Sequence, residues 1–387
     1  MALILLALGA VGHMVLWVAL INRVHAIGIR RRWVNLMTIA FVAALAFAPL
    51  AVAAALYAQR RSPDEAPRVT TIAAWSYVLG CVVVCTIGTL QRLGWWLHPE
   101  RSSVLLSNHT SPILLHNQRH RMARRGLPTL LCRLPGNQVL SLHVQRKELT
   151  IPRLLPPHDG LRIAHITDLH MSGRLTPAFF EQVAEIVNET DPDLIAITGD
   201  IVEGDAFIEW LPGTLGRLRS RHGVFYVLGN HDRRATESTI KRVLADYGLI
   251  HVGHDCRRIT IHDEPLLIGG NELPWYKPAA DFTKTSRNSD VWTPRILLAH
   301  SPDQFHWAQE QDIDLMMAGH LHGGQIRFPL MGAITSPSRH GVRYAAGVFR
   351  AGNTVMHVSR GVGALTPLRV NCPPEIAILT LRSPTKS

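Results

Sequence analysis

The sequence predicts an α/β domain preceded by an N-terminal transmembrane helical region. Three long segments without charged side chains occupy the first 90 residues, which is typical of membrane helices. The rest of the chain alternates short apolar runs with amphipathic stretches, as strands and helices do in an α/β domain. Short groups of Asp, His and Asn follow several of the apolar runs. Such groups indicate a ligand site at the carboxyl ends of strands.

The predicted membrane helices cover residues 1–21, 33–58 and 69–90, within a membrane region assigned to 1–92. Each segment lacks Asp, Glu, Lys and Arg, and each can cross a hydrocarbon core that needs about 20 apolar residues. The first segment has no positively charged start and no clear cleavage site, so we interpret it as a retained helix rather than a signal peptide. The spans offer no charged path, which argues against a transporter.

The basic charge lies near the membrane region. The formal net charge is +11; residues 1–150 hold 16 Lys and Arg against 4 Asp and Glu, whereas residues 151–387 hold 24 against 25. This distribution predicts contact with membrane lipids and no nucleic-acid partner. Basic residues between the first two helices and after the third predict a multi-pass inner-membrane protein whose soluble domain faces the cytoplasm.

The odd count of five cysteines, without a disulfide pattern, also favours a reducing compartment, in agreement with the orientation that the arginines predict. The arginines concerned are Arg23, Arg30, Arg31, Arg32, Arg92, Arg101, Arg119, Arg121, Arg124 and Arg125.

Residues 93–138 are predicted to be a basic connector, and residues 139–387 the soluble domain. A helix is predicted to begin at Thr176-Pro177, because Thr caps helices and Pro suits their first turn. The predicted strands are 139–142, 149–151, 161–167, 194–198, 224–228, 296–299, 315–318, 354–358 and 375–381. The predicted helices are 176–189, 208–219, 237–247 and 302–311.

Five short polar groups directly follow predicted strands. Each alone is also typical of a turn or of a buried histidine, but together they bring Asp, His and Asn side chains to one edge of a sheet. The last group has two histidines one residue apart, and its glycines allow both imidazoles to face one point. Carboxylate, imidazole and amide ligands without thiolate suit two divalent ions such as Mn²⁺, Fe²⁺ or Zn²⁺. The groups are Asp168-Leu169-His170, Gly199-Asp200, Gly229-Asn230-His231-Asp232, His300 and Gly319-His320-Leu321-His322.

In this order the five groups resemble the calcineurin-like metallophosphoesterase superfamily, whose pattern is D-x-H, G-D, G-N-H-D, H and G-H-x-H. The Gly-Gly-Gln after the last group, the loop 358–363 and the stretch 372–375 resemble its membrane-associated YkuE/YaeI-type bacterial branch. The resemblance covers about residues 139–382 and implies a four-layer αββα sandwich. Thr167 and Leu321 depart from the usual pattern, but neither is a ligand position.

The resemblance implies a dinuclear metal centre, with Mn²⁺ as the preferred ion and Fe²⁺ or Zn²⁺ as alternatives. A hydroxide bridging the two ions would be the nucleophile. His231 is implied as the general acid that protonates the leaving oxygen. We favour Glu203 over Asp232 as the carboxylate that orients His231. The implied metal ligands are Asp168, His170 and His322 for one ion, Asn230, His300 and His320 for the other, and Asp200 as the bridge.

The sequence therefore predicts a membrane-anchored phosphoesterase that hydrolyses a phosphodiester or pyrophosphate bond. The bacterial branch includes a hydrolase of UDP-diacylglucosamine, so a lipid-linked phosphate ester is a candidate substrate. Two alternatives stay open, a phosphomonoesterase and an inactive metal-binding membrane scaffold or sensor. The complete ligand set favours an enzyme. The stretch 270–277 and the loop that continues to residue 292 match no recognised pattern and are predicted to shape the substrate site. The pattern does not predict an oligomeric state.

Overall fold

The computed structural model describes residues 1–62, 68–97, 104–285 and 292–384. Parts of the predicted connector, 98–103, and of the predicted substrate loop, 286–291, lie outside the described residues. The chain divides into two compact units. The first contains Met1–Pro99 and Pro337–Arg343, and the second contains Glu100–Ser336 and Tyr344–Ser387. The predicted boundaries at residues 92 and 139 stay predictions.

Three long helices dominate the first unit: α1 (Ala2–His25), α2 (Arg31–Arg61) and α3 (Arg68–Leu97). Each is long and apolar enough to cross a membrane, which confirms the predicted helical region. Each helix extends beyond the C-terminal end of its predicted segment.

Helices α1 and α3 pack closely because small residues and one histidine lie between them. A Cβ atom at Gly12 would lie 1.7 Å from the carbonyl oxygen of Cys81, so only glycine permits this approach. His13 is buried, and its Nδ1 lies 2.6 Å from the Tyr77 hydroxyl. Its Nε2 lies 3.0 Å from the Leu45 carbonyl oxygen, so one imidazole links all three helices.

The second unit contains two large sheets. Its strands are β1 (Leu105–Leu114), β2 (Ser141–Thr150), β3 (Arg162–Ile166), β4 (Leu194–Thr198), β5 (Val224–Val227), β6 (Ile250–His251), β7 (Cys256–Ile261), β8 (Glu264–Asn271), β9 (Arg295–Ala299), β10 (Leu315–Ala318), β11 (Arg327–Phe328), β12 (Gly332–Ala333), β13 (Gly347–Ala351), β14 (Thr354–Val358) and β15 (Glu375–Arg382). The strand orders are β1-β2-β15-β3-β4-β5-β6 and β13-β14-β10-β9-β8-β7, and β11 pairs with β12.

Apolar side chains divide this unit into four layers. One buried cluster lies between the sheets, and one lies on the outer face of each sheet beneath helices. In β4, Leu194 and Ala196 join the inner cluster whereas Ile195 and Ile197 join an outer one, as the two-residue period of a strand requires. This arrangement confirms the predicted αββα sandwich. The helices are α4 (Arg119–Met122), α5 (Leu127–Leu131), α6 (Pro177–Glu189), α7 (Glu237–Asp246), α8 (Phe282–Thr285) and α9 (Phe305–Glu310).

Three local predictions differ from the structure. The predicted connector contains strand β1, which pairs antiparallel with β2. Its polar side chains are mostly exposed and it contains Pro112, which an edge strand tolerates. The two short strands predicted at 139–142 and 149–151 are one strand, β2. The predicted helix 208–219 is wrong, because Pro212-Gly213 interrupts it and leaves two 3₁₀ turns, Asp205–Trp210 and Leu215–Arg217.

Parallel pairing brings the carboxyl ends of several strands to one edge of each sheet. In the first sheet β3, β4 and β5 are parallel, and in the second β8, β9, β10 and β14 are parallel. The loops that leave these ends carry the five polar groups, three after strands of the first sheet and two after strands of the second. The prediction of one edge of a single sheet is therefore wrong, because the groups meet where the edges of two sheets lie side by side.

Candidate active site

The loops at these edges hold their polar residues in an unusual backbone conformation. Positive φ angles occur at Asp168 (53°), His170 (48°), Asp200 (53°), His320 (71°) and His322 (49°). Residues other than glycine rarely adopt this left-handed region, and such residues cluster at functional sites. The backbone strain thus coincides with the predicted ligands.

Two glycines allow the loops to contact the carboxylates directly. A Cβ atom at Gly229 would lie 2.3 Å from Asp200 Oδ1. A Cβ atom at Gly319 would lie 2.1 Å from Thr167 Oγ1 and 2.4 Å from Asp168 Oδ2. Any side chain at either position would therefore displace a carboxylate.

The first predicted ligand set comes together at the ends of β3 and β10. His322 Nε2 lies 2.9 Å from His170 Nε2 and 3.4 Å from Asp168 Oδ1. Asp168 is fully buried, and its two oxygens accept the backbone N–H of His320 at 3.1 and 3.0 Å. Three ligand atoms thus face one small volume, in which they lie within 4.8 Å of one another.

The second predicted ligand set comes together at the ends of β4, β5, β9 and β10. One ligand atom each from Asp200, His300 and His320 lies within 4.8 Å of the others. Asn230 joins this set, because its Oδ1 lies 3.1 Å from His300 Nε2. The ring centroid of Trp275 lies 5.4 Å from that of His300 and 4.9 Å from that of His320. The stretch 270–277, which was predicted to shape the substrate site, therefore borders this set.

Asp200 lies between the two sets. Its Oδ2 is 3.6 Å from His170 Nε2 and 3.3 Å from His300 Nε2. Its Oδ1 accepts the backbone N–H of His231 at 2.8 Å, which fixes the carboxylate. A fully buried carboxylate thus contacts imidazoles of both sets.

Carboxylates and imidazoles at the site shift one another's pKa values. Burial disfavours the His300 imidazolium, but the adjacent Asp200 carboxylate outweighs burial and raises the pKa of His300 to about 9. Burial also disfavours ionisation of Asp200, yet His300 and neighbouring imidazoles hold its pKa well below the usual range. Burial lowers the pKa of His170 to about 4, so that ring is neutral and offers a lone pair.

Hydrogen bonds orient two of the imidazoles towards the shared volume. His170 Nδ1 lies 2.5 Å from Glu203 Oε1, and His300 Nδ1 donates to the carbonyl oxygen of Thr198 at 2.7 Å. Because the Nδ1 proton is used in each bond, Nε2 is the ring nitrogen that faces the ligand position. It carries a lone pair in neutral His170, whereas His300 would release its Nε2 proton when a metal binds. Metal-binding histidines are commonly held in this way.

Glu203 and Asp232, the two carboxylates predicted near His231, have different surroundings. Glu203 Oε1 lies 2.8 Å from His231 Nδ1, although the contact lacks hydrogen-bond geometry, and its Oε2 pairs with Arg234. Asp232 instead accepts the backbone N–H groups of Ile201 and Val202 at 2.9 Å each, and that of Gly229 at 2.8 Å. Burial and the Asp200 charge raise the pKa of Asp232 to about 7. Asp232 therefore joins two loops, whereas Glu203 lies beside both His170 and His231.

Sequence reasoning missed Arg369. This side chain is fully buried and donates to the carbonyl oxygens of Arg360 at 2.9 Å and Gly363 at 2.6 Å. Its Nη2 lies 3.3 Å from His322 Nδ1, so a guanidinium lies directly behind a predicted ligand. No motif marks Arg369, because its partners are mostly backbone oxygens.

Sequence reasoning also missed a buried ion pair beneath the site. Lys147 of β2 pairs with Glu375 of β15, and both side chains are almost fully buried. Arg360 Nε donates to the other oxygen of Glu375 at 3.0 Å. Burial opposes ionisation of Glu375, but Lys147 outweighs it and holds its pKa well below the usual range. This pair fixes adjacent strands near the candidate site.

A chain of hydrogen bonds leads from this pair to the candidate ligands. Lys147 Nζ lies 2.9 Å from His357 Nε2, and His357 Nδ1 lies 2.8 Å from His165 Nδ1. His165 Nε2 lies 2.8 Å from Thr198 Oγ1, and the Thr198 carbonyl oxygen accepts from His300. Burial, then Lys147, lowers the pKa of His357 to about 4, so the imidazole is neutral. The chain thus supports the residue that orients His300.

The residues at these edges fit divalent metal ions. Buried carboxylates, imidazoles and an amide oxygen converge without thiolate, which is the ligand set of borderline and hard divalent cations. Hydrogen bonds at Nδ1 of His170 and His300 turn Nε2 of each ring towards the shared volume. The ligand sets lie on both sides of Asp200 rather than around a single point.

Comparison with known proteins agrees with this chemistry. A family model described as calcineurin-like phosphoesterase matches residues 161–324. The chain is 30% identical over 249 residues to the uncharacterized metallophosphoesterase YkuE of Bacillus subtilis, covering 62% of this chain and 86% of YkuE. It is 33% identical over 226 residues to the phosphodiesterase YaeI of Escherichia coli, and the match covers 57% of this chain and 82% of YaeI. It is 25% identical over 294 residues to the UDP-2,3-diacylglucosamine pyrophosphatase LpxG of Chlamydia muridarum, and the match covers 62% of this chain and 88% of LpxG. The chain therefore belongs to the calcineurin-like phosphoesterase family and is a metal-dependent phosphoesterase.

Proposed function

We propose that the chain hydrolyses a phosphodiester or pyrophosphate bond with two divalent metal ions, one on each side of Asp200. The observation that carries this proposal is the position of Asp200 Oδ2, 3.6 Å from His170 Nε2 and 3.3 Å from His300 Nε2. A shared carboxylate offsets the repulsion between two closely spaced dications. The other proposed ligands are Asp168 and His322 on one side and Asn230 and His320 on the other.

The chain's own residues have defined tasks in this reaction. When bound, the two ions supply positive charge for the phosphoryl oxygens and acidify a water molecule. Glu203 keeps Nδ1 of His170 protonated, so that Nε2 stays available to a metal. His231, which is partly exposed and lies beside Glu203, transfers a proton from its ring to the leaving oxygen.

We propose Mn²⁺ as the preferred ion, with Fe²⁺ and Zn²⁺ as alternatives. Carboxylate and amide oxygens suit Mn²⁺, while imidazoles also suit Fe²⁺ and Zn²⁺. The two proposed sets differ, since the first has one carboxylate besides Asp200 and the second has an amide instead.

We further propose that the substrate is a lipid-linked phosphate ester. Two features support this class: the three helices that can cross a membrane, and the likeness to a relative named as a pyrophosphatase of UDP-2,3-diacylglucosamine. A membrane-anchored enzyme meets lipid substrates at a high local concentration. UDP-diacylglucosamine is therefore the first lipid substrate to test.

The test is hydrolysis by the full chain in detergent. We expect Mn²⁺-dependent turnover of bis-(4-nitrophenyl) phosphate that exceeds turnover of 4-nitrophenyl phosphate, and loss of both after chelation. The full chain is required, because a fragment from residue 139 would lose β1 and also Asn137, which holds Arg369 through a 2.9 Å hydrogen bond. Faster monoester turnover would indicate a phosphomonoesterase, and no turnover with any ion would indicate a metal-binding scaffold or sensor. UDP-diacylglucosamine is assayed in parallel to test the lipid-linked class.

We also propose that the enzyme domain faces the cytoplasm from the inner membrane. The arginines at 23 and 30–32, and again at 119–125, motivate this orientation. We expect a fluorescent reporter fused after Ser387 to fluoresce, since it folds only in the cytoplasm. Activity of an alkaline phosphatase reporter at the same position, which requires export, would contradict the orientation.

A further inference from the structure

A second cluster of metal-binding residue types uses none of the ligands assigned above. It comprises His251 of β6, His254 in the turn that follows, and Glu272 directly after β8. One ligand atom from each residue lies within 4.8 Å of the other two. Two imidazoles and one carboxylate form a zinc ligand set that leaves the fourth position to water.

The distances approach those of a tetrahedral site. His251 Nε2 forms a 2.8 Å hydrogen bond with Glu272 Oε1, which a bound ion would replace, and His254 Nδ1 lies 3.8 Å from Glu272 Oε2. Ligand atoms about 2.0–2.1 Å from a tetrahedral zinc ion lie about 3.3 Å from one another. Small side-chain rotations would therefore place all three ligands around one ion.

The carboxylate of Glu272 supplies an independent observation. Glu272 is fully buried, and its Oε1 accepts the backbone N–H of Leu228 at 2.5 Å. Its Oε2 is buried without a hydrogen-bond partner among the residues that the structure describes. Burying such an oxygen is costly unless a cation or donor compensates it. Gly253 packs directly against the carboxylate, since a Cβ atom there would lie 2.2 Å from Glu272 Cδ.

The nearest cation does not prevent metal binding. Lys241 Nζ lies 3.3 Å from Nε2 of His254, which is not the ring nitrogen that approaches Glu272. Lys241 also pairs with Glu237 at 2.6 Å, which offsets its charge.

We propose that His251, His254 and Glu272 form a separate site for a zinc-class divalent ion. The ion would connect β6, at the edge of the seven-stranded sheet, to the end of β8 in the six-stranded sheet. The carbonyl oxygen of Glu272 accepts the N–H of Trp275 at 3.0 Å, and the Trp275 ring packs against candidate catalytic ligands. The ion therefore stabilises the segment that borders the active site. This proposal does not depend on the proposed substrate.

A zinc count on the full chain in detergent tests this site. The chelator-treated protein is equilibrated with Zn²⁺ alone, freed of excess ion by gel filtration and analysed by mass spectrometry. We expect the wild-type protein to retain one more zinc ion per chain than either His254→Ala or Glu272→Gln. The glutamine keeps an oxygen for the Leu228 N–H while removing the charge that binds the ion. A matched control is His306→Ala, because this imidazole is 80% exposed and contacts Glu310 within one helix.

A second readout reports the coordination geometry of the bound ion. Co²⁺ replaces Zn²⁺ in such sites, and a tetrahedral Co²⁺ ion gives a visible absorption band. We expect this band to weaken in His254→Ala and to persist in His306→Ala. Equal zinc counts and equal Co²⁺ spectra in wild type and His254→Ala would overturn the proposal. The result rests on the zinc count and the Co²⁺ spectrum and not on turnover, so absence of hydrolysis would not affect it.

Discussion

Asp200→Asn is expected to reduce phosphodiester hydrolysis to near background and to lower the content of bound metal. The substitution removes the negative charge between the two ligand sets while keeping an oxygen that can accept the His231 N–H. Two unit charges 4 Å apart interact by about 4 kcal/mol at an effective dielectric constant of about 20. Loss of this charge should lower the affinity for each bound ion by about 10³-fold or more. Metal content by mass spectrometry and turnover of the diester provide the measurement.

Asp246→Asn is the matched control for this substitution, because Asp246 is an exposed carboxylate at the end of α7. We expect it to retain both metal content and turnover. If Asp200→Asn bound the full complement of metal and hydrolysed the diester normally, Asp200 would not be the bridge. The assignment of both ligand sets would then be wrong.

Much of the candidate site could be predicted because its signals are local. Each polar group follows directly on a short buried strand, so hydropathy alone indicates where the strand ends and the loop begins. Parallel pairing in the first sheet then brings Asp168 and Asp200 to one edge, whereas His300 follows a strand of the second sheet and meets them only because the two sheets pack together. The same reasoning identified the three apolar helices, because length and the absence of charge are sufficient evidence.

The features that sequence reasoning missed depend on contacts between distant parts of the chain. Lys147 and Glu375 meet only because β2 and β15 pair in parallel. Glu272 meets His251 across two different sheets, and Arg369 is held by backbone oxygens that have no sequence signature. Strand β1 was missed for another reason: an edge strand buries little, so its hydropathy resembles that of a loop. Topology must therefore be known before these residues can be related to the site.

The position of His231 leads to a prediction about the leaving group. Its ring lies beside Glu203 and its backbone N–H binds Asp200. One of its ring nitrogens also lies within 4.8 Å of ligand atoms of His170 and Asp200, but the proposed ligand sets do not use it. His231→Ala should therefore keep both metal ions but slow hydrolysis of an alkyl diester by roughly 10²–10⁴-fold, the usual contribution of a general acid.

The loss should shrink for a 4-nitrophenyl ester, because nitrophenolate leaves without a proton. The decisive measurement is the ratio of wild-type kcat to His231→Ala kcat, determined once for the alkyl diester and once for the nitrophenyl ester. The metal content of both proteins is measured alongside. A smaller ratio for the nitrophenyl ester assigns His231 the role of proton donor. An equal ratio on both substrates would instead indicate that His231 binds the phosphoryl group, since a hydrogen bond to phosphate supports both reactions alike.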